Sequence, residues 1–191
     1  MKPISLSKQT FPQSGFGAER APAAGLGAAL RAEICLRPIG RIGTPFQQAA
    51  GTPIQSAVAE GAEGTIELFP EFAPGLKDIE GFDRLWLLYC FDRASEPQLL
   101  VRPYLDTEEH GIFATRSPAR PNALGMSVVR LLERQGHRLR IADVDMLDGT
   151  PLLDIKPYVP AFDHFSVTRV GWYQNKSAAG AVADDRFERK E

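Results

Sequence analysis

Gln135-Gly136-His137-Arg138-Leu139-Arg140-Ile141-Ala142 is the stretch on which the reading of the fold turns. From Arg138 onward charged and apolar residues alternate, which puts the apolar side chains on one face of a half-buried strand, and Gln135-Gly136 just ahead suits a hairpin turn. Outward from it, short apolar runs recur between turn residues, at 34–42, 64–69, 85–91, 112–115, 128–132, 139–146 and 152–155. That spacing is the signature of a β-rich domain. The run 85–91 is apolar on every side and predicts a central strand covered on both faces. The segment 162–173 offers a last strand, and helical character is confined to 72–81 and 96–104. Strands are too many and helices too few for a doubly wound parallel sheet. The expected fold class is therefore mainly β, a small single-sheet antiparallel β-barrel with a few short helices.

The chain has 191 residues, 43% of them hydrophobic and 24% charged, enough for one domain with its own core. Residues 1–31, rich in Ala, Gly, Pro and Gln, read as an extension that is disordered or drapes over the body. The barrel domain is expected over 32–173, followed by a polar tail, 174–191, expected to fray. Gly15-Phe16-Gly17 and Gly25-Leu26-Gly27 look like dinucleotide-binding turns, but neither follows a hydrophobic strand or has the third glycine. Cys35 and Cys90 are far apart in apolar settings and read as reduced core residues. His110, His137 and His164 are scattered, and Asp143, Asp145 and Asp148 lack the spacing of a calcium loop, so no metal site is expected. No apolar run reaches the roughly twenty residues of a membrane span and no secretory signal opens the chain, so no membrane association and a cytoplasmic location are expected.

Charge is unevenly placed despite a net value of −2. Residues 60–83 carry seven acids against Lys77, and residues 110–140 carry six arginines against Glu133. Such asymmetry suits docking of basic face on acidic face in a dimer, or a basic face that holds a structured nucleic acid.

The sharpest chemical signal is Thr115-Arg116-Ser117-Pro118-Ala119-Arg120-Pro121-Asn122. Each proline fixes its own φ and pushes the preceding residue toward extended backbone, so Ser117 and Arg120 have little freedom. A pre-oriented guanidinium presents a rigid fork of donors to a phosphate, a carboxylate or a base edge at reduced ordering cost. One arginine in such a loop would be read as an ion-pairing residue. Two, beside Thr115, Ser117 and Asn122, favour binding.

Together, residues 111–127 and 148–160, with Pro38-Ile39-Gly40-Arg41-Ile42, 64–68 and 75–86, resemble the TrmO family, also called YaeB or TsaA-like. The resemblance covers about residues 34–163. It implies a small β-barrel that binds S-adenosylmethionine, commonly as a homodimer with the cofactor near the subunit interface. The implied activity is N6-methylation of threonylcarbamoyladenosine beside the tRNA anticodon. Carried over position by position, it implies cofactor contacts from Arg116, Met126, Ala142, Asp143, Val144, Asp145, Asp92, Arg93, Ser56, Ala57 and Val58. This chain has Asp92-Arg93 where many relatives show His-Gln, Pro53-Ile54-Gln55 in place of Pro-Arg-Gln, and Phe46 in place of a tyrosine.

Methyl transfer from a sulfonium is an in-line displacement that asks the protein to align nucleophile with methyl carbon and exclude water. An amide-like N6 nucleophile must lose a proton, and Asp145 or Asp92 is a candidate acceptor. Arg120, Asn122 and His110 are candidate substrate contacts. Asp143 and Asp145 are balanced between site and solvated strand face, Asp148 reads as a turn former, and Trp86 as core. Trp172 and Tyr173 are expected to cover the barrel or a partner, and Lys156 and Tyr158 either brace the site or pack. Two competing functions stay open: a methyltransferase of the same fold acting on another RNA or a small molecule, and a non-catalytic module that binds S-adenosylmethionine or a nucleotide.

Overall fold

A computed structural model describes residues 34–189. The chain divides into two units, Met1–Arg37 and Pro38–Glu191. The expected extension and both Gly-x-Gly turns lie outside the described residues. In the first unit Cys35 is exposed rather than core, whereas Cys90 is buried.

The second unit is built on a closed barrel. Its strands are β1 (Gly40–Gly43), β2 (Glu63–Leu68), β3 (Arg84–Cys90), β6 (Leu124–Gln135), β7 (Arg138–Ala142) and β8 (Thr150–Pro157), in the order β1-β2-β7-β6-β3-β8, with β8 pairing back onto β1. Every pairing is antiparallel. A separate two-stranded ribbon joins β4 (Leu100–Val101) to β5 (His110–Gly111).

Alternation places the core as the sequence suggests. In β7 Leu139 and Ile141 are buried and Arg138 and Arg140 exposed, and the β6–β7 hairpin turns at Gly136, whose φ of 63° is the left-handed conformation that a side chain disfavours. Ile42, Ile66, Leu85, Leu87, Val129, Leu139, Ile141 and Leu152 fill the interior. Burying each such side chain contributes about 1.5–3 kcal/mol. Short 3-10 turns at Pro70–Leu76 and Ile79–Gly81 stand where a helix was expected, and they place Leu76, Phe72 and Ile79 against the barrel core.

Several expectations are corrected. Run 112–115 is a 3-10 turn, Ile112–Ala114, with Ile112 buried and Phe113 78% exposed, because three apolar residues are too few to fix a period. Residues 96–104 form no helix and instead supply β4. Segment 162–173 adds no strand: β1–β8 pairing has already closed the sheet, and the segment begins in the end of helix α1 (Pro160–Asp163) and closes on a 3-10 turn at Gly171–Tyr173. Trp86 is half-buried on the outer face, its ring 6.0 Å from that of Tyr158. Strand β3 is thus fully covered on its inner face only.

The terminal segment does not fray over its described part. Val182 bridges Pro53, Glu188 bridges Ala94, and Ala183 accepts from Gly51 N–H and donates to the Thr52 carbonyl. Phe187 is buried in a second small core with Val101, Ile112 and Ala119. One aromatic in a charged run is enough to anchor it. The two charge blocks meet within the chain: Arg138 reaches Glu67 at 2.7 Å where β7 lies against β2, and Arg134 on β6 reaches Glu80 in the Ile79–Gly81 turn at 2.9 Å.

Candidate ligand site at one barrel mouth

Antiparallel order brings the ends of β1, β3 and β7 and the starts of β2, β6 and β8 to the same mouth. A cavity of about 430 Å³ opens there, within the roughly 300–1,000 Å³ of small-molecule sites. Its wall combines the arginine loop, the segment after β3, the 145–150 turn and the terminal segment.

On the floor, Asp145 and Tyr89 are joined through Ser127, which lies buried behind the lining. Asp145 Oδ1 accepts from Ser127 Oγ at 2.6 Å, so the Tyr89 hydroxyl, 3.0 Å from Ser127 Oγ, must donate to it. A Ser56 backbone N–H also reaches the Asp145 carboxylate. Burial raises the Asp145 pKa to about 6, outweighing these hydrogen bonds and the Arg116 charge. Tyr89 is pushed well above its usual range, first by burial and then by Asp145, so its phenol stays protonated. A β-bulge between Leu88 and Tyr89 on the β8 side re-aims this end of β3.

The arginine loop is rigid, and its two guanidiniums have different duties. Arg120 Nη1 donates to the carbonyls of Ile112 (3.2 Å), Thr115 (2.8 Å) and Ser117 (3.5 Å), tying the loop to itself. Thr115 Oγ1 adds bonds to the Ile112 carbonyl and from Ser117 N–H. Arg116 is exposed, lines the cavity and donates to the Gln55 side chain. Arg120 lines the cavity as well, but its Nη1 is taken up by the loop's own carbonyls, so Arg116 is the more open of the two guanidiniums.

Of the other residues singled out, Asp92, Arg93, Met126 and Asp145 also line the cavity. Burial raises the Asp92 pKa, against the pull of Arg93. Arg93 donates to the Asp148 and Gln47 carbonyls, which fastens the loops around it. Ser56, Ala57 and Val58 form a 3-10 turn behind Gln55 and reach the site through the Ser56 N–H. Ala142, Asp143 and Val144 do not line the cavity. Ala142 and Val144 are core, and Asp143, at φ 68°, is held by Arg130 (2.9 Å) and Arg84 (3.2 Å). Asp148 sits in the turn before β8 and accepts from Thr44 N–H at 3.0 Å, tying that turn to the end of β1. His110 and Asn122 lie off the lining, although His110 stacks on Trp172, which lines it. Lys156, paired with Asp154 at 2.8 Å, and Tyr158 lie at the other end of β8.

Sequence reasoning missed Tyr89, Ser127 and Gln55. Ser127 left a signal: on β6 it shares the inward register with Gly125 and Val129, and a hydroxyl at an inward position asks for a partner.

Fold and site define a small closed-barrel protein with an acid-floored, arginine-lined cavity of small-molecule size. A family model described as the tRNA-methyltransferase O N-terminal domain matches residues 41–164. The chain belongs to that family. It is 60% identical, over 74% of its length and 77% of the relative's, to a probable S-adenosyl-L-methionine-binding protein of Pyrococcus abyssi. It is 32% identical, over 79% of its length and 37% of the relative's, to the tRNA (adenine(37)-N6)-methyltransferase of Mus musculus. A crystal structure of TrmO from Pseudomonas aeruginosa superposes with a TM-score of 0.61 at 40% identity, covering 72% of this chain and 61% of that one.

Proposed function

We propose that this chain is an S-adenosylmethionine-dependent methyltransferase that modifies N6 of threonylcarbamoyladenosine beside the anticodon of tRNA. The observation that carries the reading is the pairing, in one cavity, of a loop-locked Arg116 with a desolvated carboxylate, Asp145.

The residues present suit the cofactor. Arg116 offers a carboxylate its rigid fork, Asp92 offers an acceptor to an ammonium, and Met126, Phe91 and Leu147 supply apolar surface for an adenine. The cofactor, when bound, supplies an electrophilic methyl group. Asp145, with its pKa near 6, is ionised at neutral pH yet basic enough to take the proton that N6 must lose. Ser127 and Tyr89 hold its orientation, and the hydrophobic wall excludes water.

The working unit is proposed to be a homodimer in the cytoplasm. Support comes from the segment after β8, where Phe162, Phe165, Val167 and Val170 are all exposed, Phe165 to 75%. Large apolar side chains left in water this close together along the chain suit an interaction face. Sedimentation of the purified protein as twice the chain mass is the expected result.

The central test is methyl transfer from radiolabelled S-adenosylmethionine to tRNA, followed by mass spectrometry of the nucleosides. The expected product is N6-methylated threonylcarbamoyladenosine. Transfer to a different RNA or to small molecules only would assign the fold another substrate, and cofactor binding with no transfer at all would make this a sensing module.

A further inference from the structure

Gly171-Trp172-Tyr173 follows the residues matched by the family model, which end at 164, yet Trp172 and Tyr173 both line the cavity. Their rings are stacked at a centroid distance of 3.8 Å and 27°. On its other side Trp172 stacks on His110 at 4.6 Å and 14°. Trp172 is thus the middle of a three-ring column.

The column is fixed from behind. Trp172 Nε1 donates to the Ala114 carbonyl at 2.8 Å, tying it to the turn that precedes Arg116. Asp106 takes both His110 Nε2, at 3.3 Å, and Lys176 Nζ, at 3.1 Å, so one carboxylate clamps the two ends of the assembly. Lys176 N–H donates to the Tyr173 carbonyl, closing the turn. Tyr173, the outermost ring, is 37% exposed and close enough to Arg116 to feel its charge.

A solvent-facing aromatic stack held this firmly needs no further contact for folding; the barrel core is elsewhere. What it offers is a flat π-face at the rim. An unpaired RNA base splayed out of its loop stacks on such faces, and stacking tolerates substituents on the base edge. The deeper polar floor, with Asp145, Ser127 and Tyr89, is separate from this rim and suits the reacting edge.

We propose that Tyr173, backed by Trp172, presents the face on which the target adenine stacks, so that its N6 edge is turned toward the Asp145 floor. This rests on the reading of the chain as a tRNA adenine methyltransferase. In that role they are positioning residues for the RNA, with Arg116 left to the cofactor.

Two measurements on the full chain test it. In steady-state transfer to bulk tRNA, Tyr173→Ala is expected to raise KM for tRNA about tenfold or more, Tyr173→Phe to restore it to within about threefold, and calorimetric affinity for S-adenosylmethionine to stay within about twofold. In the second, a single-stranded anticodon-loop RNA is titrated with S-adenosylhomocysteine present, and tryptophan fluorescence is expected to be quenched in the wild type but not in Trp172→Phe, which keeps Trp86. Unchanged KM with no quenching overturns the platform, and so does a loss of cofactor affinity in Tyr173→Ala, which would give the rings to the cofactor. Quenching by RNA in a wild type that transfers no methyl group would uphold the platform while defeating the methyltransferase reading.

Discussion

Tyr89 and Gly125 face each other across β3 and β6, and the Tyr89 ring fills the space that a side chain at position 125 would need: a Cβ there would lie 2.1 Å from Tyr89 Cε2. The glycine is what lets the phenol cross the barrel mouth and donate to Ser127. Gly125→Ala is therefore expected to displace the ring, break the Tyr89–Ser127–Asp145 chain, and cost about 2 kcal/mol of stability through overpacking. Methyl transfer should fall with it. Thermal unfolding beside an activity assay checks both, and a variant as stable and active as the wild type would show that the ring is free to move aside.

Asp145→Asn separates stability from chemistry. The folded carboxyl has its pKa raised from 3.8 to about 6, so ionising it opposes folding. That cost is absent below about pH 4, grows as pH rises through 6, and is complete above it, at most about 3 kcal/mol by the free energy of a pKa shift. The amide variant should thus be more stable than the wild type at pH 7–8 and equal to it near pH 4. Its transfer rate should fall steeply, and the limb near pH 6 in the rate profile of the wild type should vanish. Chemical denaturation at two pH values and a pH–rate series are the measurements. Loss of stability at pH 8 would mean that the carboxylate is needed structurally.

Arg116 and Arg120 are four residues apart and should fail in opposite ways. Removing the exposed Arg116 side chain takes away a ligand contact and one bond to Gln55, so Arg116→Ala should lose cofactor binding at nearly unchanged melting temperature. Arg120→Ala strands three backbone carbonyls and should cost about 2 kcal/mol. Calorimetry and thermal melts on the pair decide it, and an Arg116→Ala protein that unfolds would move Arg116 from the ligand to the frame.

The barrel was legible because its evidence is local. Leu139 and Ile141 alternate with arginines, and Gly136 marks the hairpin, so period and turn agree within eight residues. Arg116 was legible for the same reason: the prolines that stiffen its loop are its neighbours. Of the site's floor only Asp145 was singled out in advance, while its partners Ser127 and Tyr89 were not. Asp145, Ser127 and Tyr89 are joined by register across three elements, and Tyr89 is indistinguishable in sequence from the core residues around it. The charge blocks show the converse, since a run of like charge says nothing about which partner it meets until β2 is laid against β7. Phe162, Phe165 and Val167 have the composition of a strand and found no edge to pair with, because closure of the barrel is a property of the whole sheet.

Phe187 links the terminal segment to the ligand site. Its ring packs edge-on against Tyr104 at 5.3 Å, within the small core of Val101, Ile112 and Ala119, and its backbone carbonyl accepts from Ser95 N–H at 2.8 Å. The same segment lines the cavity through Ala183, Phe187 and Glu188, and Ile112 is the residue on which the arginine loop is tied. Phe187→Ala should therefore cost about 3 kcal/mol by leaving a void, and should also weaken cofactor binding, because both the wall and the anchor of the arginine loop lose their packing. Phe187→Leu, which refills most of the volume, should recover the larger part of each effect. Hydrogen exchange would locate the damage, with faster exchange at Ser95, Thr115 and Ala183 than in the barrel strands. Uniform acceleration across β3 and β6 would instead mean that the terminal segment and the barrel unfold as one unit.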